Sequence, residues 1–259
     1  MDLVLRELVD GIGVLTLAND AKRNALSEDL LDELVYGLAE MKGQSARAVI
    51  LTARKGATVW SAGHDLSELA QPGHDPLAYD DPLEEAIRAI RSFPAPVIAM
   101  LEGTVWGGAC ELVFTCDLRV GTPRTSFAVT PARIGVPYNL NGLLNLVGAV
   151  GLSTAKQLLF TAEPLASARA EQLGVLNYVV AAEELEEFTR SLAGRIAGNS
   201  ALAISVIKEQ LRILSGAQAL TPETFEKIQA LRRIVFESGD YRELVQGFLR
   251  KRKPAPSGT

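Results

Sequence analysis

The chain has 259 residues, of which 47% are hydrophobic and 22% are charged. This balance is typical of a globular protein and excludes a disordered chain, a collagen-like fibre and a coiled coil. The formal net charge is −5, whereas a protein that mainly binds nucleic acid normally carries positive charge. The length allows one or two domains with a sizeable core.

The thiols and histidines are too few for a disulfide framework or a zinc site. The sequence has two cysteines, Cys110 and Cys116, two histidines and no CxxC spacing. The first ten residues include charged residues of both signs and lack a signal-peptide pattern. Apolar runs such as residues 96–101 are shorter than the roughly 20 residues of a membrane helix. We therefore expect a cytoplasmic protein with no metal, no nucleic-acid partner and no membrane partner.

The first predicted elements are a hairpin, a helix and a buried strand. Residues 3–9 and 13–18 are rich in β-branched residues and leucine, which favours two paired strands. Ser27 is typical of a helix N-cap, and the apolar residues after it recur at the helical period up to Gly43. The continuous apolar run at 48–52 predicts a strand that is buried on both faces.

The alternation of helices and strands continues through the middle of the chain. Helices are predicted at 83–93 and 107–115, and strands at 96–101, 118–120 and 127–129. This order predicts an α/β core with mainly parallel strands.

The pattern after residue 142 is mostly helical. It has one strand-like run at 176–180 and helices near 183–197, 200–214, 222–237 and 240–250. We therefore divide the chain into an α/β domain at 1–195 and a helical region at 196–259.

A first candidate site contains Ala62, Gly63, His64, Asp65 and Leu66, which follow the strand at 48–52 by a short loop. Glycine has no Cβ, so the backbone here could approach a ligand and bind it through amide N–H groups. A tight turn before a helix, with Asp65 as the cap, would explain the same residues.

A second candidate site is the turn at Gly107 and Gly108, which follows the strand at 96–101 and begins a helix. The free N–H groups at a helix start favour negative charge. The turn lacks the spacing of a dinucleotide or phosphate loop, and a glycine pair also permits close helix packing. Because both candidate loops follow consecutive buried strands, two of their N–H groups could converge into an oxyanion hole.

The sequence resembles the crotonase superfamily of acyl-CoA enzymes, also called the enoyl-CoA hydratase/isomerase family. The resemblance covers about residues 3–253 and is carried by Asn24-Ala25-Leu26, residues 61–66, Glu102-Gly103, residues 107–112, Cys116-Asp117 and Gly135-Val136-Pro137. It implies a ββα spiral core with a C-terminal helical trimerisation region, and hence a trimer or a dimer of trimers. It also implies that the amide N–H groups of His64 and Gly108 bind the thioester oxygen.

The resemblance includes one departure that bears on the reaction. Hydratases of the family use two glutamates to handle water. Glu111 matches the first, but Pro131 stands at the place of the second and cannot act as an acid or a base. The sequence therefore lacks the second carboxylate that hydration or isomerisation of a short enoyl-CoA would use. Glu111, which matches the first, keeps this alternative open.

Other segments resemble the members of the superfamily that decarboxylate methylmalonyl-CoA. They include Val105-Trp106, Thr130-Pro131 and residues 136–140. We predict that the chain converts methylmalonyl-CoA, or a close 2-carboxyacyl-CoA, to propionyl-CoA and CO2 without a cofactor. Loss of CO2 leaves an enolate, so a backbone oxyanion hole suffices and no base is needed. A non-catalytic member that binds acyl-CoA or RNA is a further alternative.

The resemblance assigns Tyr138 to hydrogen-bond the departing carboxylate, beside an apolar wall at Trp106. We take Thr130 as the candidate that protonates C2 or positions a water, with His64 as its competitor. Tyr138 as a packing residue and Thr130 as a turn hydroxyl remain open alternatives. If Glu111 faces the pocket, we expect it to be paired, protonated by burial or turned aside.

The coenzyme A moiety is expected to contact two lysines. Lys22 precedes the Asn24-Ala25-Leu26 motif and could meet the phosphates, while Lys251 could meet a phosphate or the adenine end. The backbone of residues 62–66 would support the adenine. A solvated basic tail would explain Lys251 equally well.

Overall fold

The computed structural model describes residues 2–68, 81–215 and 221–250 of the chain. Within these ranges the strands form two sheets. The larger sheet has the order β1 (Val4–Val9), β2 (Ile12–Leu17), β3 (Ala48–Ala53), β5 (Val97–Leu101), β7 (Leu118–Gly121) and β10 (Tyr178–Val179). The smaller sheet has the order β4 (Val59–Ser61), β6 (Thr104–Trp106), β8 (Ser126–Ala128) and β9 (Leu165–Ala166).

The strand pairing is mainly parallel, as predicted. In the larger sheet β1 and β2 form an antiparallel hairpin, and every later pair is parallel. In the smaller sheet β4, β6 and β8 are parallel, and β9 runs antiparallel to β8. All residues of β3 are buried, which agrees with its continuous apolar sequence.

The helices follow the predicted pattern closely. They are α1 (Glu28–Gly43), α2 (Pro82–Ser92), α3 (Gly108–Thr115), α4 (Leu140–Thr161), α5 (Ser167–Gln172), α6 (Leu185–Ala197), α7 (Ala201–Ser215), α8 (Pro222–Glu237) and α9 (Gly239–Leu249). Ser27 caps α1, as predicted, by accepting a hydrogen bond from the amide of Leu30. The predicted division after residue 195 falls in the last turn of α6 and stays a prediction.

The core lies on both faces of the larger sheet. The main cluster joins this sheet to α1, α2 and α3 and includes the fully buried Trp60 and Phe127. A second cluster under α6 includes Ile50, Ile98 and Leu192. These two layers fix the strands and therefore the loops that leave them.

Three short strands are missing from the sequence-based prediction. We placed the two candidate loops directly after the strands at 48–52 and 96–101, and that placement is wrong. β4 and β6 intervene, so the loops leave neighbouring parallel strands of the smaller sheet. β9 is also absent from the prediction. Strands of two or three residues are too short to show an alternation of apolar and polar residues.

Helix α4 is, among the described residues, the one helix long and apolar enough to cross a membrane, with a mean hydropathy of 1.4. Gly151 has a φ of 74° and divides α4 into two arms, each shorter than a membrane span. Leu146 and Leu158 are buried in the main core. The length of α4 therefore carries little weight as evidence for a membrane.

Helix α7 contacts the core sparingly, whereas α9 buries Tyr241 in a small cluster with Val136. Helix α7 has no buried residue. Its Lys208 ammonium donates hydrogen bonds to the carbonyl oxygens of Ile90 and Ala95, and its Nζ lies 2.6 Å from a carboxylate oxygen of Asp117. This lysine side chain is 11% exposed. Lys208 thus ties α7 to the end of α2.

Candidate active site

A cavity of about 410 Å³ lies where the loops after β4, β6 and β8 meet the starts of α2 and α3. It is lined by Ala62, His64, Leu66, Leu83, Trp106, Gly107, Gly108, Glu111, Thr130, Pro131, Arg133, Ile134, Val136 and Tyr138. The structure therefore brings together most of the predicted site residues. Leu83, Arg133 and Ile134 were not among the predicted site residues.

The loops after β4 and β6 approach each other at Gly63. This glycine has a φ of 84°, and a Cβ on it would lie 2.5 Å from the carbonyl oxygen of Trp106. The same Cβ would lie 3.3 Å from the amide nitrogen of Gly108. A Cβ on Gly108 would in turn lie 3.8 Å from the amide nitrogen of His64. No side chain can separate the two loops here, so their backbones meet.

The amide N–H groups of His64 and Gly108 are available to a ligand. Gly108 is the first residue of α3, so its N–H has no partner within the helix. Among the described residues, neither N–H donates to a protein acceptor. Two neighbouring free donors at a cavity wall suit an oxygen that carries negative charge.

The segment that holds this loop precedes α1. Leu26 donates to the carbonyl oxygen of Gly63 and accepts from the amide of Asp65, and the intervening amide of His64 has no acceptor among the described residues. Asn24 is buried and donates its side-chain amide to the backbone of β4. The Asn24-Ala25-Leu26 motif therefore fixes the loop from one side.

The His64 side chain points to α2. Its Nε2 lies 3.5 Å from a carboxylate oxygen of Asp81, and both side chains are nearly buried. Asp81 also caps α2 by accepting from the amide of Leu83. The imidazole is thus held by a residue that is itself fixed at a helix start.

Glu111 faces the cavity and is 3% exposed. Burial, together with the negative charges of Glu84 and Asp81, raises the pKa of Glu111 to about 8, although Arg91 opposes the shift. Its Oε1 has no hydrogen-bond partner among the described residues. Of the three predicted possibilities, the geometry favours protonation by burial.

Three other predicted residues line the same cavity. Burial, followed by the charge of Glu111, raises the pKa of Tyr138 well above its usual range, so its hydroxyl remains a donor. Thr130 precedes the 3-10 helix Pro131–Ile134 without capping it through its side chain. The indole N–H of Trp106 donates to Thr104 at 2.8 Å, which fixes the ring at the wall.

Of the residues expected at coenzyme A, Ala62, His64 and Leu66 line the cavity, whereas Lys22 does not. Lys22 Nζ is 2.8 Å from a carboxylate oxygen of Asp65, and the lysine side chain is 60% exposed. Burial would raise the pKa of Asp65, but hydrogen bonds from Lys22 and Ser67 lower it overall. Lys22 is thus an exposed cation beside the site. Lys251 lies outside the described residues.

No metal-binding cluster of three or more His, Cys, Asp or Glu residues occurs in the part of the chain that the structure describes. Cys110 and Cys116 are free and buried. Burial raises the pKa of the Cys116 thiol to about 12, and that of Cys110 is also raised. Neither thiol therefore has the character of a nucleophile.

Comparison with known proteins relates the whole chain to acyl-CoA enzymes. The sequence profile of the enoyl-CoA hydratase/isomerase family matches residues 7–258. The chain is 45% identical to methylmalonyl-CoA decarboxylase of Escherichia coli (strain K12), over 95% of this chain and 94% of that protein. It is 34% identical to enoyl-CoA hydratase domain-containing protein 3 of Homo sapiens, over 95% and 80% of the two chains.

Solved structures give the same relationship. Methylmalonyl-CoA decarboxylase in complex with 2-nitronate-propionyl-CoA has a TM-score of 0.97 and 44% identity, with 99% of each chain covered. A methylmalonyl-CoA decarboxylase complexed with 2S-carboxypropyl-CoA also has a TM-score of 0.97, at 43% identity, with 100% of this chain and 99% of that chain covered.

The protonation of Glu111 predicts a specific pH dependence of stability. Its pKa is about 8 in the folded protein against 4.5 ordinarily. The stability it contributes is therefore complete below the lower value and is lost as pH rises through the higher one. We expect Glu111→Gln to remove this decline, which can reach about 1.4 kcal/mol per pH unit.

Urea unfolding of the wild type and the variant between about pH 5 and pH 9 measures this difference. Glu223→Gln, which changes an exposed glutamate on α8, serves as the control and should keep the slope of the wild type. If the free energy of unfolding changes equally with pH in the wild type and in Glu111→Gln, the pKa of Glu111 is not raised in the folded protein.

Proposed function

Because the chain belongs to the enoyl-CoA hydratase/isomerase family, we propose that its cavity binds an acyl-CoA and that its reaction is the decarboxylation of methylmalonyl-CoA to propionyl-CoA and CO2. The predicted crotonase-like fold is confirmed by the solved relatives. The observation that carries the proposal is the pair of free N–H groups at His64 and Gly108, in a chain 45% identical to a methylmalonyl-CoA decarboxylase.

The proposed reaction develops charge where these N–H groups lie. The bond between C2 and the carboxylate carbon breaks, and CO2 leaves without the bonding electron pair. That pair forms an enolate with C2, and the negative charge reaches the thioester oxygen. Removing one donor from a hole of this kind typically lowers the rate by about 10²–10³.

Loss of the carboxylate requires that its bond to C2 be correctly oriented, and it does not require a base. Its bond to C2 must stand perpendicular to the thioester plane so that the electrons enter the carbonyl π system. We assign this orientation to the Tyr138 hydroxyl, which stays protonated in its buried position. A protonated Glu111 fits the same cavity because it does not repel the substrate carboxylate.

The final step transfers a proton to C2. We assign it to Thr130, or to a water that Thr130 positions, since this residue lines the cavity. The His64 imidazole is the competing donor, although it is held against Asp81. Lys22 and Lys251 are proposed to contact coenzyme A, with its adenine on the backbone of residues 62–66.

We further propose that no metal or other cofactor takes part and that the reaction is cytoplasmic. The free thiols of Cys110 and Cys116 support a reducing compartment. Decarboxylation of a thioester needs only the electron sink that the thioester itself supplies.

Hydration of a short enoyl-CoA is the second candidate because Glu111 lies in the cavity. The two-glutamate reaction of the family's hydratases requires another carboxylate. Glu111 is the one carboxylate among the described residues that line the cavity, and Pro131 begins a 3-10 helix in the region of the second. This arrangement supports decarboxylation over hydration.

Product analysis tests the proposed function directly. Purified protein is mixed with methylmalonyl-CoA and, separately, with crotonyl-CoA, and the products are followed by mass spectrometry. We expect propionyl-CoA and CO2 from the first and little water addition to the second. Rapid hydration of crotonyl-CoA without decarboxylation would favour the hydratase, and no turnover of either would favour a binding protein.

Tyr138→Phe should lower kcat for methylmalonyl-CoA about 10-fold to 100-fold while changing KM less, because the lost hydrogen bond orients the reacting bond. Tyr178→Phe is the matched control, since Tyr178 lies in β10 and packs on Phe188. Steady-state kinetics with equal kcat for both variants would remove Tyr138 from the site.

A homo-oligomer, either a trimer or a dimer of trimers, is proposed from the family resemblance, and the apolar surface of the C-terminal helices supports an interface there. Leu202, Leu211 and Leu214 on α7 and Leu231 and Ile234 on α8 are each more than half exposed. Such a surface is typical of protein interfaces. Light scattering of the full chain should show an oligomer, and a monomeric mass would contradict the proposal.

Leu211→Asp should lower the oligomer mass because it places a charge on this surface. Tyr36→Asp is the control, since Tyr36 is equally exposed on α1. An unchanged mass for Leu211→Asp would move the interface elsewhere.

A further inference from the structure

Glu84 is a buried glutamate that the proposed reaction does not use. It lies on α2, is 3% exposed and is absent from the cavity lining. Its Oε1 accepts a hydrogen bond from the side-chain amide of Asn139 at 2.7 Å. Its Oε2 accepts one from the side-chain amide of Asn141 at 3.0 Å. Both carboxylate oxygens are thus bound to the start of α4.

Asn139 connects this carboxylate to Tyr138. Asn139 is the N-cap of α4, and its side-chain oxygen accepts a hydrogen bond from the amide of Gly142. Its side-chain amide is the group that Glu84 binds. The residue before this cap is Tyr138, so the anchor at Glu84 fixes the backbone from which the phenol extends.

The first turn of α4 is packed tightly around Gly142. A Cβ there would lie 2.7 Å from Oε2 of Glu111 and 2.7 Å from the side-chain oxygen of Asn139, and it would overlap the Tyr138 ring. Glu111 and Tyr138, which line the cavity, and the buried Asn139 therefore converge on one helical turn. A small displacement of this turn would move Tyr138 and Glu111 relative to each other.

Several charged or titratable groups face Glu111. Glu84, Arg91 and the cap residue Asp81 face it from α2, Tyr138 from the start of α4, and Cys110 lies next to it on α3. His64 lies against Asp81. Arg91 favours ionisation of Glu111, whereas Glu84 and Asp81 oppose it. Glu84 therefore influences the site by charge as well as by position.

We propose that Glu84 is a positioning residue for the decarboxylation. Through Asn139 and Asn141 it holds the first turn of α4, and with it Tyr138, in the orientation that receives the carboxylate of the substrate. The inference rests on the proposed function, because it assigns Glu84 to the same reaction.

A double-mutant cycle separates positioning from general stability. Glu84→Ala should lower kcat about 10-fold to 100-fold with a smaller change in KM, because the substrate binds but its reacting bond is less well oriented. In the Tyr138→Phe background, the same substitution should lower kcat less than about 2-fold, since the hydroxyl that it orients is absent. Equal losses in both backgrounds would overturn the inference.

Glu84→Gln tests the same residue in a variant that can keep the fold. The glutamine oxygen can accept from Asn139, and its amide can donate to Asn141 once that amide turns over. We expect kcat near the wild-type value at low pH. Ionisation of Glu111 would place a negative charge beside the substrate carboxylate, so we expect kcat to fall at alkaline pH. Loss of one negative charge at Glu84 should lower the pKa of Glu111 and move this fall down by about one pH unit.

Glu85→Gln is the matched control, because Glu85 is the exposed neighbour on α2. It should leave both kcat and the pH profile unchanged. A pH profile of Glu84→Gln that coincides with this control would contradict the charge effect of Glu84. If the wild type releases no propionyl-CoA, the proposed function and this inference both fail. If it does and the cycle is additive, only the inference fails.

Discussion

The site depends on the neighbouring backbone N–H groups of His64 and Gly108, which have no protein acceptor in the part of the chain that the structure describes. Leaving a buried donor unpaired costs about 1–3 kcal/mol, so the surrounding structure must hold the amides of His64 and Gly108 in place. The close approach of Gly63 to the Trp106 carbonyl does this, together with the hydrogen bonds that Leu26 donates to Gly63 and accepts from Asp65. The donors are therefore oriented before a substrate enters, and no reorganisation is needed when charge develops.

The charges around the cavity suit a reaction in which an anionic substrate carboxylate leaves as neutral CO2. A carboxylate at the wall would repel the substrate, and burial raises the pKa of Glu111, the one acidic residue among the described residues of the lining, to about 8. Glu84 and Arg91 lie near Glu111 but do not line the cavity. Hydration makes the opposite demand, since it needs carboxylates that exchange protons with water. The proline at position 131 and the buried Glu111 therefore both favour decarboxylation over hydration.

The sequence was sufficient for the long elements and for most of the cavity lining. Apolar runs and helical periods span many residues, so β3 and α1 were predicted closely. β4 and β6 were missed because each has three residues, which is too few to show an alternation of apolar and polar side chains. Glu84 was missed for a different reason: its partner Asn139 lies 55 residues away, so no local pattern records the contact. Lys22 was proposed for phosphates, and its pairing with Asp65 likewise leaves no sequence signal.

The parallel pairing of β4 with β6 also has a consequence for folding. Ser61 pairs with Val105, and the chain between them includes α2 and β5. Such long-range pairing must overcome the entropy of loop closure before it is stabilised, so it forms slowly compared with a hairpin such as β1–β2. A nascent chain can thus acquire much of its secondary structure before the amide N–H groups of His64 and Gly108 come together. In this topology, the protein therefore becomes catalytically competent late in folding.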